Sequence, residues 1–445
     1  MNQSPAPARS SAPSPGTLRR QLYRMVAAIG VVYVMSQFYR TANGVIAKDL
    51  MAEFGLSAEA LGILTGAFFL SFAAMQIPLG MLFDRFGPRR TVPVLLLFAI
   101  VGTLVFGLAE GFVGLLIGRL LMGIGVCGVL MGALFIFGRW AGPDEFSTWM
   151  GRMVAIGGAG ALLSATPLAW TADAHGWRYA FFGAAAITAL GAILFYAIVR
   201  DRPSGQESEA PATSSPAHHG LRESVAGMIE VFRIPRLWPI LAMAFVSYPV
   251  TITILGLWGA PWLIDAYGID KVTAGNVLLG MAVALMIASM VLGPLERRLN
   301  TRKGLAIGFS TAVGVALVLL AVLPAPPLFL GAVLLIVIGG SSAYNIIVAG
   351  HGRSLFPDRL AGRGMALIGI ALMGGPFVMQ ALTGLIVGAF EAPETAGGAV
   401  PLVAYRAVFA FLAACIIAAN LLYMRVPDAR PSAGFARDEA DTGDD

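Results

Sequence analysis

The side chains of this sequence able to do chemistry are few, and the most unusual is an arginine inside an apolar stretch. Tyr33, Gln37, Arg40 and Gly44 follow one another at intervals of 4, 3 and 4, which sets all four on one face of a helix. An ionised side chain in hydrocarbon costs at least about 2.5–3.5 kcal/mol, so that face is expected to look into a hydrated hollow. A guanidinium fixed there grips an oxyanion in bidentate fashion. The plainer alternative is that Arg40 snorkels outward to the headgroups from a shorter span.

A second arginine, Arg119, also lies within an apolar stretch and is followed by Gly123 and Gly125, which let a neighbouring helix come close. It is a candidate ligand contact, with a structural or proton-coupling part as the alternative. All 25 acidic residues fall at span ends, in loops or in the tails. His175, His218, His219 and His351 do the same. A buried carboxylate or histidine is the usual proton relay and the usual partner of a cationic cargo, so the hollow is expected to be acid-free and suited to an anion. From the second half of the chain, Tyr248, Thr251, Trp258, Tyr344, Asn345, Gln380 and Thr383 supply hydrogen bonds and stacking, and Pro249 loosens its helix locally. The expected binding set is Tyr33, Gln37, Arg40, Arg119, Tyr248, Thr251, Tyr344, Asn345 and Gln380, with neither metal nor cofactor.

These residues must be positioned by membrane helices. Of 445 residues, 57% are apolar and 12% charged, with a mean hydropathy of +0.78. A soluble domain carries about 45–50% apolar and about 25% charged residues. The apolar residues arrive in blocks long enough to cross about 30 Å of hydrocarbon as helices. A soluble enzyme, a disordered chain and an outer-membrane barrel are thereby excluded. Twelve spans are expected, near 24–47, 57–81, 91–110, 112–138, 149–172, 177–199, 236–264, 272–295, 303–323, 327–350, 363–389 and 403–424. Cys127 and Cys415 both fall inside apolar blocks and act as small hydrophobes.

The net charge of +5 sorts along the chain rather than forming a nucleic-acid surface. With the amino terminus inside, Arg40, Lys48, Arg119, Arg178, Lys271 and Arg406 are six of 30 basic residues, and the other 24 are cytoplasmic. Both termini are therefore expected in the cytoplasm of an inner (plasma) membrane protein. The organisation reads as a disordered tail over 1–19, a six-helix bundle over 20–200, a cytoplasmic linker over 201–235, a second six-helix bundle over 236–424 and an acidic tail over 425–445. Within the linker, Leu221, Val225, Met228, Ile229 and Phe232 have the spacing of an amphipathic surface helix. Three pairs of segments repeat in order. Gly80 to Arg90 corresponds to Gly293 to Lys303, Gly151-Arg152 to Gly362-Arg363, and Trp177-Arg178 with Phe181 to Tyr405-Arg406 with Phe409. Two copies of one six-helix unit place a cavity at their interface near the midplane, and rocking the halves exposes it to each side in turn.

Gly80-Met81-Leu82-Phe83-Asp84-Arg85-Phe86-Gly87-Pro88-Arg89-Arg90 resembles the signature G-x-L-x-D-R-x-G-R-K of the major facilitator superfamily, with Pro88 in place of its first basic residue after the glycine. Arg119 to Gly125 resembles that family's R-x-x-x-G-x-G, and the likeness extends over about residues 20–425. Phe68 to Arg90, with Tyr39-Arg40 and Gly176-Trp177-Arg178, is similar to the family's symporters and exchangers of organic anions. The resemblance implies an all-α membrane fold of twelve transmembrane helices in two pseudo-symmetric six-helix bundles. It also implies a gate built from Gly80, Asp84, Arg85, Gly87, Arg89 and Arg90, to which Arg363 is added from the second half. Gly80 and Gly87 permit a tight turn there, and the arginines can bridge to carbonyls or acids across the seam between halves. In the second copy Arg297 stands where the acid should be, so that latch is expected to be weaker. The exporters' glycine motif of span five is largely missing, since Ser164-Ala165 replaces its Gly-Pro.

The function expected is secondary transport of a small organic anion or metabolite by rocking-bundle alternating access. The protein would act as a monomer in the lipid bilayer, as symporter or antiporter, with a small-molecule substrate and no nucleic-acid partner. An exporter of apolar or drug-like compounds is the alternative within transport, and a membrane sensor the alternative outside it. An intramembrane protease or an ATP-driven pump would need motifs that are missing, such as H-E-x-x-H or G-x-x-x-x-G-K-[ST].

Overall fold

The computed structural model describes residues 15–141, 143–203, 234, 237–324, 326–356, 361–390 and 400–429. All regular elements among the described residues are helices. In a bilayer core every backbone group must be satisfied within the segment, and apolar runs of this length achieve that only as helices. Eleven helices are long and apolar enough to cross: Gly16–Phe54, Pro88–Gly107, Phe112–Trp140, Thr148–His175, Trp177–Ile198, Leu237–Tyr267, Lys271–Leu299, Lys303–Val322, Leu328–Arg353, Arg363–Gly388 and Leu402–Tyr423. The second crossing is the pair Ala58–Ala74 and Gln76–Phe86, bent by 44°. Twelve crossings return both ends of the described chain to one face, here called the terminal face; the other is the distal face.

The expected spans are all present, with one correction at the start. The first helix begins at Pro15 and runs 40 residues to Phe54, so residues 15–19 are helical rather than part of a tail. The expected amphipathic helix, most of the linker and the tail beyond residue 429 lie outside the described residues.

The interruptions follow from proline chemistry. The bend in span two comes just before Pro78, which offers no N–H to Ala74. Span five breaks at Ser164-Ala165, just before Pro167, and Ala165 takes up a non-helical conformation. Span seven changes to a π turn over Ile254–Trp258, closed by the Gly259 N–H donating to Ile254 O. The widened turn stands immediately before Pro261, which gives no hydrogen bond to Leu257 O and would clash with it in a regular helix. Pro249 stays inside regular helix. The carbonyl it leaves free, Phe245 O, faces Gly375 of span eleven, where a Cβ would come within 2.6 Å of it.

The internal repeat is built into hydrogen bonds. Arg178 donates from Nη2 to Ala109 O (3.1 Å), tying span six to the end of span three. Arg406 repeats the bond in the second half, from Nε to Ala321 O (2.8 Å). At the terminal face Asp201, just past span six, accepts from the Arg89 N–H (2.9 Å). Asp428, just past span twelve, accepts from the N–H groups of Arg302 (3.1 Å) and Lys303 (2.9 Å) and from Thr301 Oγ1 (2.6 Å). The chain leaving each half is also pinned by a ring nitrogen. Trp140 Nε1 donates to Arg200 O (2.9 Å), and His351 Nε2 lies 3.0 Å from Pro427 O. Because Pro427 O only accepts, His351 carries its proton on Nε2, and Nδ1 accepts from Tyr423 OH at 2.6 Å.

The halves meet tightly toward the distal face. Spans one and seven cross at Gly44, where a Cβ would stand 2.6 Å from Leu255 O and 2.8 Å from Gly256 C. Spans two and eleven cross with Gly62 against Gly384. Polar pairs close the same end. Lys48 pairs with Asp265, and Lys271 pairs with Asp49 (2.7 Å) and reaches Asp173 (3.8 Å). Thr166 bonds Asn276 at 2.7 Å. Asp265 also accepts from Tyr405 OH (2.7 Å), and its side chain is only 4% exposed. Toward the terminal face several side chains along the seam regain exposure: Gln37, Phe245, Tyr248 and Met373 are half-buried. The seam is thus closed by packing and ion pairs at the distal end and less completely covered toward the terminal face.

Candidate functional site

Arg40 stands directly beneath the distal seal. One turn above it Gly44 admits the backbone of span seven, and Gly256 of that span lies against Arg40 O, where a Cβ would stand 3.0 Å away. The Arg40 side chain therefore projects into the seam between the halves. Nη1 donates to Tyr248 OH of span seven (3.4 Å) and approaches Met373 Sδ of span eleven (3.7 Å). Its Cζ lies 4.7 Å from the centre of the Phe72 ring in span two. Arg40 is 6% exposed, and its Nε has no hydrogen-bond partner among the described residues. The outward-snorkelling alternative fails, since the guanidinium points into the seam.

The rest of the predicted tyrosine–glutamine–arginine face keeps this company. Tyr33 is buried and packs on Gly157 of span five. Gln37 is half-buried beside Gly160, with its Oε1 unpartnered among the described residues. The site thus draws on spans one, two, five, seven and eleven. It holds a cation, a phenol hydroxyl and an amide against a thioether and an aromatic ring, which together suit a small anion with an apolar or hydroxylated body.

Other expected binding residues stand elsewhere. Arg119 is fully buried inside the first half, where Nη1 donates to Tyr39 O (2.7 Å) and Nη2 to Thr65 O (3.1 Å). Its Cζ lies 4.9 Å from the centre of the Phe68 ring. It bridges spans one, two and four within the first half, and its hydrogen bonds go to backbone carbonyls. Thr251 is bonded to Ser342 of span ten, within the second half. Tyr344 is fully buried and its hydroxyl is unpartnered among the described residues, while Asn345 is half-buried. Gln380 is fully buried where span eleven packs on Gly62, with both amide atoms unpartnered among the described residues. Trp258 Nε1 donates to Thr383 Oγ1 (2.9 Å), which ties span seven to span eleven.

The first-half gate residues cluster at the terminal face, and the contacts described for them stay within that half. Gly87 adopts φ +73°, and a Cβ there would stand 3.0 Å from the carboxyl carbon of Asp201. Arg89 lays its guanidinium over the Tyr196 ring (5.2 Å) and donates from Nε to Tyr196 O (3.3 Å). Arg85 covers Phe86 (5.0 Å), Asp84 and Arg90 are exposed, and Gly80 and Arg363 are half-buried. Among the described residues Arg89 makes its contacts with Asp201 and Tyr196 rather than across the seam. In the second copy Glu296, in the last turn of span eight, pairs with Arg302 of the loop that follows (2.7 Å).

Sequence reasoning missed Phe72 and Met373, apolar groups without a motif, and the distal pairs. A signal for those pairs existed, because Lys48 and Lys271 are basic residues on the sparsely basic side, close to Asp49 and Asp270 in sequence. Asp270 itself caps span eight. The Thr273 hydroxyl and N–H that bond it hold its carboxyl below the usual carboxylate range.

Comparison with known proteins agrees with this architecture. The chain is 29% identical to the nitrate/nitrite transporter NrtP of Picosynechococcus sp. over 55% of its own length and 46% of that protein. It is 32% identical to NrtP of Nostoc punctiforme over 39% and 34%, respectively. The chain thus spans about a third to a half of these curated relatives. It is 26% identical to a probable sulfoacetate transporter, SauU, of Cupriavidus necator, over 66% of this chain and 70% of that one. Among solved structures, a bacterial homolog to the human lysosomal transporter Spinster, in an inward-facing and occupied conformation, aligns with a TM-score of 0.70 at 18% identity, covering 91% of this chain and 96% of the other. A family model described as Major Facilitator Superfamily matches residues 29–379 and 260–442. With twelve crossings, two repeated halves and that match along most of its length, the chain belongs to the Major Facilitator Superfamily.

Proposed function

We propose that this protein is a secondary transporter of a small organic anion, held here in its inward-facing conformation. The observation that carries the reading is the Arg40 guanidinium: it lies in the seam between the halves, bonded to Tyr248, and no carboxylate pairs with it among the described residues. A buried cation that lies between the two halves without a counter-ion supports an anion from outside the protein as its partner. Relatives named for nitrate/nitrite, sulfoacetate, hexuronate and L-galactonate support an anionic cargo. The sorting of basic residues supports termini in the cytoplasm of an inner membrane. The first half, spans one to six, then rocks as a unit against spans seven to twelve. With no acidic group paired with Arg40 among the described residues to relay protons, exchange of anions or a proton carried on the substrate supplies the coupling. The transporter works as a monomer without cofactor.

A second reading is export of apolar or drug-like compounds. Phe72 and Met373 beside Arg40 favour it, as do relatives named a quinolone resistance transporter and a multidrug resistance protein B homolog. Flux into liposomes with imposed gradients separates the two. Organic anions exchanging across the membrane at rates set by an anion gradient support the first reading. Resistance to unrelated drugs on expression in cells, with no anion flux, supports the second.

A further inference from the structure

Outside the hollow, at the terminal face, the start of span one and the end of span six enclose a cavity of about 380 Å³. Thr17, Arg20, Gln21 and Arg24 line it at intervals of 3, 1 and 3, one face of the first helix. Ala197, Ile198 and Arg200 complete it from span six. Three arginines, a threonine and a glutamine thus line one space with no carboxylate in its lining. The neighbouring acid, Asp201, accepts from the Arg89 N–H and does not line the cavity. Arg20 and Arg24 are exposed, and neither forms an ion pair with a described residue. Arg200 folds back onto Ala197 O (2.9 Å) and Val199 O (3.1 Å), which holds its charge at the level where the apolar span ends.

That level decides the ligand. Span six is apolar from Trp177 to Ile198, so Ala197 and Ile198 lie at the edge of the hydrocarbon while the arginines stand at headgroup depth. A ligand fitting both needs several acceptor oxygens, a net negative charge and an apolar body continuing toward the bilayer. We propose that the cavity seats the phosphodiester headgroup of an anionic phospholipid, which fastens the start of span one to the end of span six. A choline-bearing lipid offers the same phosphate but brings a cation into a cluster of three arginines.

The test is thermal unfolding of the purified, delipidated full-length protein in neutral detergent. Three additions are compared: dioleoyl-phosphatidylglycerol, dioleoyl-phosphatidylcholine and inorganic phosphate. Phosphatidylglycerol is expected to raise the unfolding temperature, and the other two to leave it unchanged. Each arginine near a membrane surface contributes about 1 kcal/mol, or roughly fivefold, so Arg20→Gln with Arg24→Gln should weaken the apparent lipid affinity about 30-fold. Arg24→Gln alone should weaken it about fivefold, which keeps the test available if the double variant folds poorly. Arg297→Gln with Arg298→Gln, an exposed basic pair of the other half, should leave the response intact. Equal protection by phosphatidylcholine, or an unchanged response in the Arg20 and Arg24 variants, overturns the proposal. Protection by inorganic phosphate alone assigns the pocket to a soluble ion and overturns the lipid.

Discussion

At the scale of single residues, the chemistry rests on one guanidinium whose partners are neutral. Arg40→Ala is expected to abolish transport while the protein inserts and folds. Arg40→Lys keeps the charge but loses the planar fork, so uptake should fall at least about tenfold rather than remain intact. Uptake assays paired with quantification of inserted protein check both, and normal uptake by Arg40→Ala removes the anion argument. Gln380 supplies a contrasting case. Its buried amide has no partner among the described residues, and an unsatisfied buried group of this kind costs about 1–3 kcal/mol. Gln380→Leu should therefore hold or raise the unfolding temperature, and a fall of several degrees would mean that the amide is satisfied. Arg40 was legible in the sequence because its helix face also carries Tyr33, Gln37 and Gly44. The place of Arg119 was not legible, because its partners are the backbone carbonyls of Tyr39 and Thr65, and carbonyls leave no mark in sequence.

At the scale of elements, the prolines and the repeat tell most of the story. The bends before Pro78 and Pro167 were open to prediction from those residues alone. The π turn was not, because local softness was assigned to Pro249 while the widened turn answers to Pro261. Gly44 sets how closely spans one and seven approach. Gly44→Val places methyl groups where 2.6 Å already separates a Cβ from Leu255 O, so the distal end cannot close. The expected outcome is loss of transport with labelling of Thr253→Cys by an impermeant maleimide from the distal face; Thr253 is fully buried in the sealed form. The Asp428 clamp yields a pH prediction. Burial pushes this carboxyl up, but the bonds from Thr301, Lys303 and Arg302 outweigh it and hold the group below the usual carboxylate range. A depressed folded value means that the clamp contributes fully above the ordinary carboxylate range of about 4 and is lost as pH falls through the folded value. Asp428→Asn should thus unfold at a lower temperature than wild type at neutral pH, and the two should converge in strong acid. A difference that persists there would assign the effect to something other than the charge.

For the whole molecule, the distal seal is a pair of exchanged charges. Lys48 of the first half meets Asp265 of the second, and Lys271 of the second meets Asp49 of the first. Twelve spans and their division were readable because hydrocarbon thickness dictates block length and the loops sort by charge. Which face is closed was unreadable, since a sequence encodes both states of an alternating machine. Couplings of about 1–3 kcal/mol shift such equilibria five- to 150-fold. Asp265→Asn together with Lys271→Gln should accordingly move the population toward distal opening. Electron-resonance distances between spin labels on the distal ends of spans one and seven would lengthen, and unchanged distances would mean that helix packing alone closes this face.

Binding to the purified protein probes the Arg40 site most directly, by calorimetry with matched ligands: small sugar acids, the neutral polyols of the same skeleton and the corresponding amines. An anion site centred on Arg40 predicts that the acids bind, that polyols and amines do not, and that Arg40→Ala loses the acids while Asp428→Asn keeps them. Binding of amines or polyols in preference to acids, or acid binding undiminished in Arg40→Ala, would contradict it.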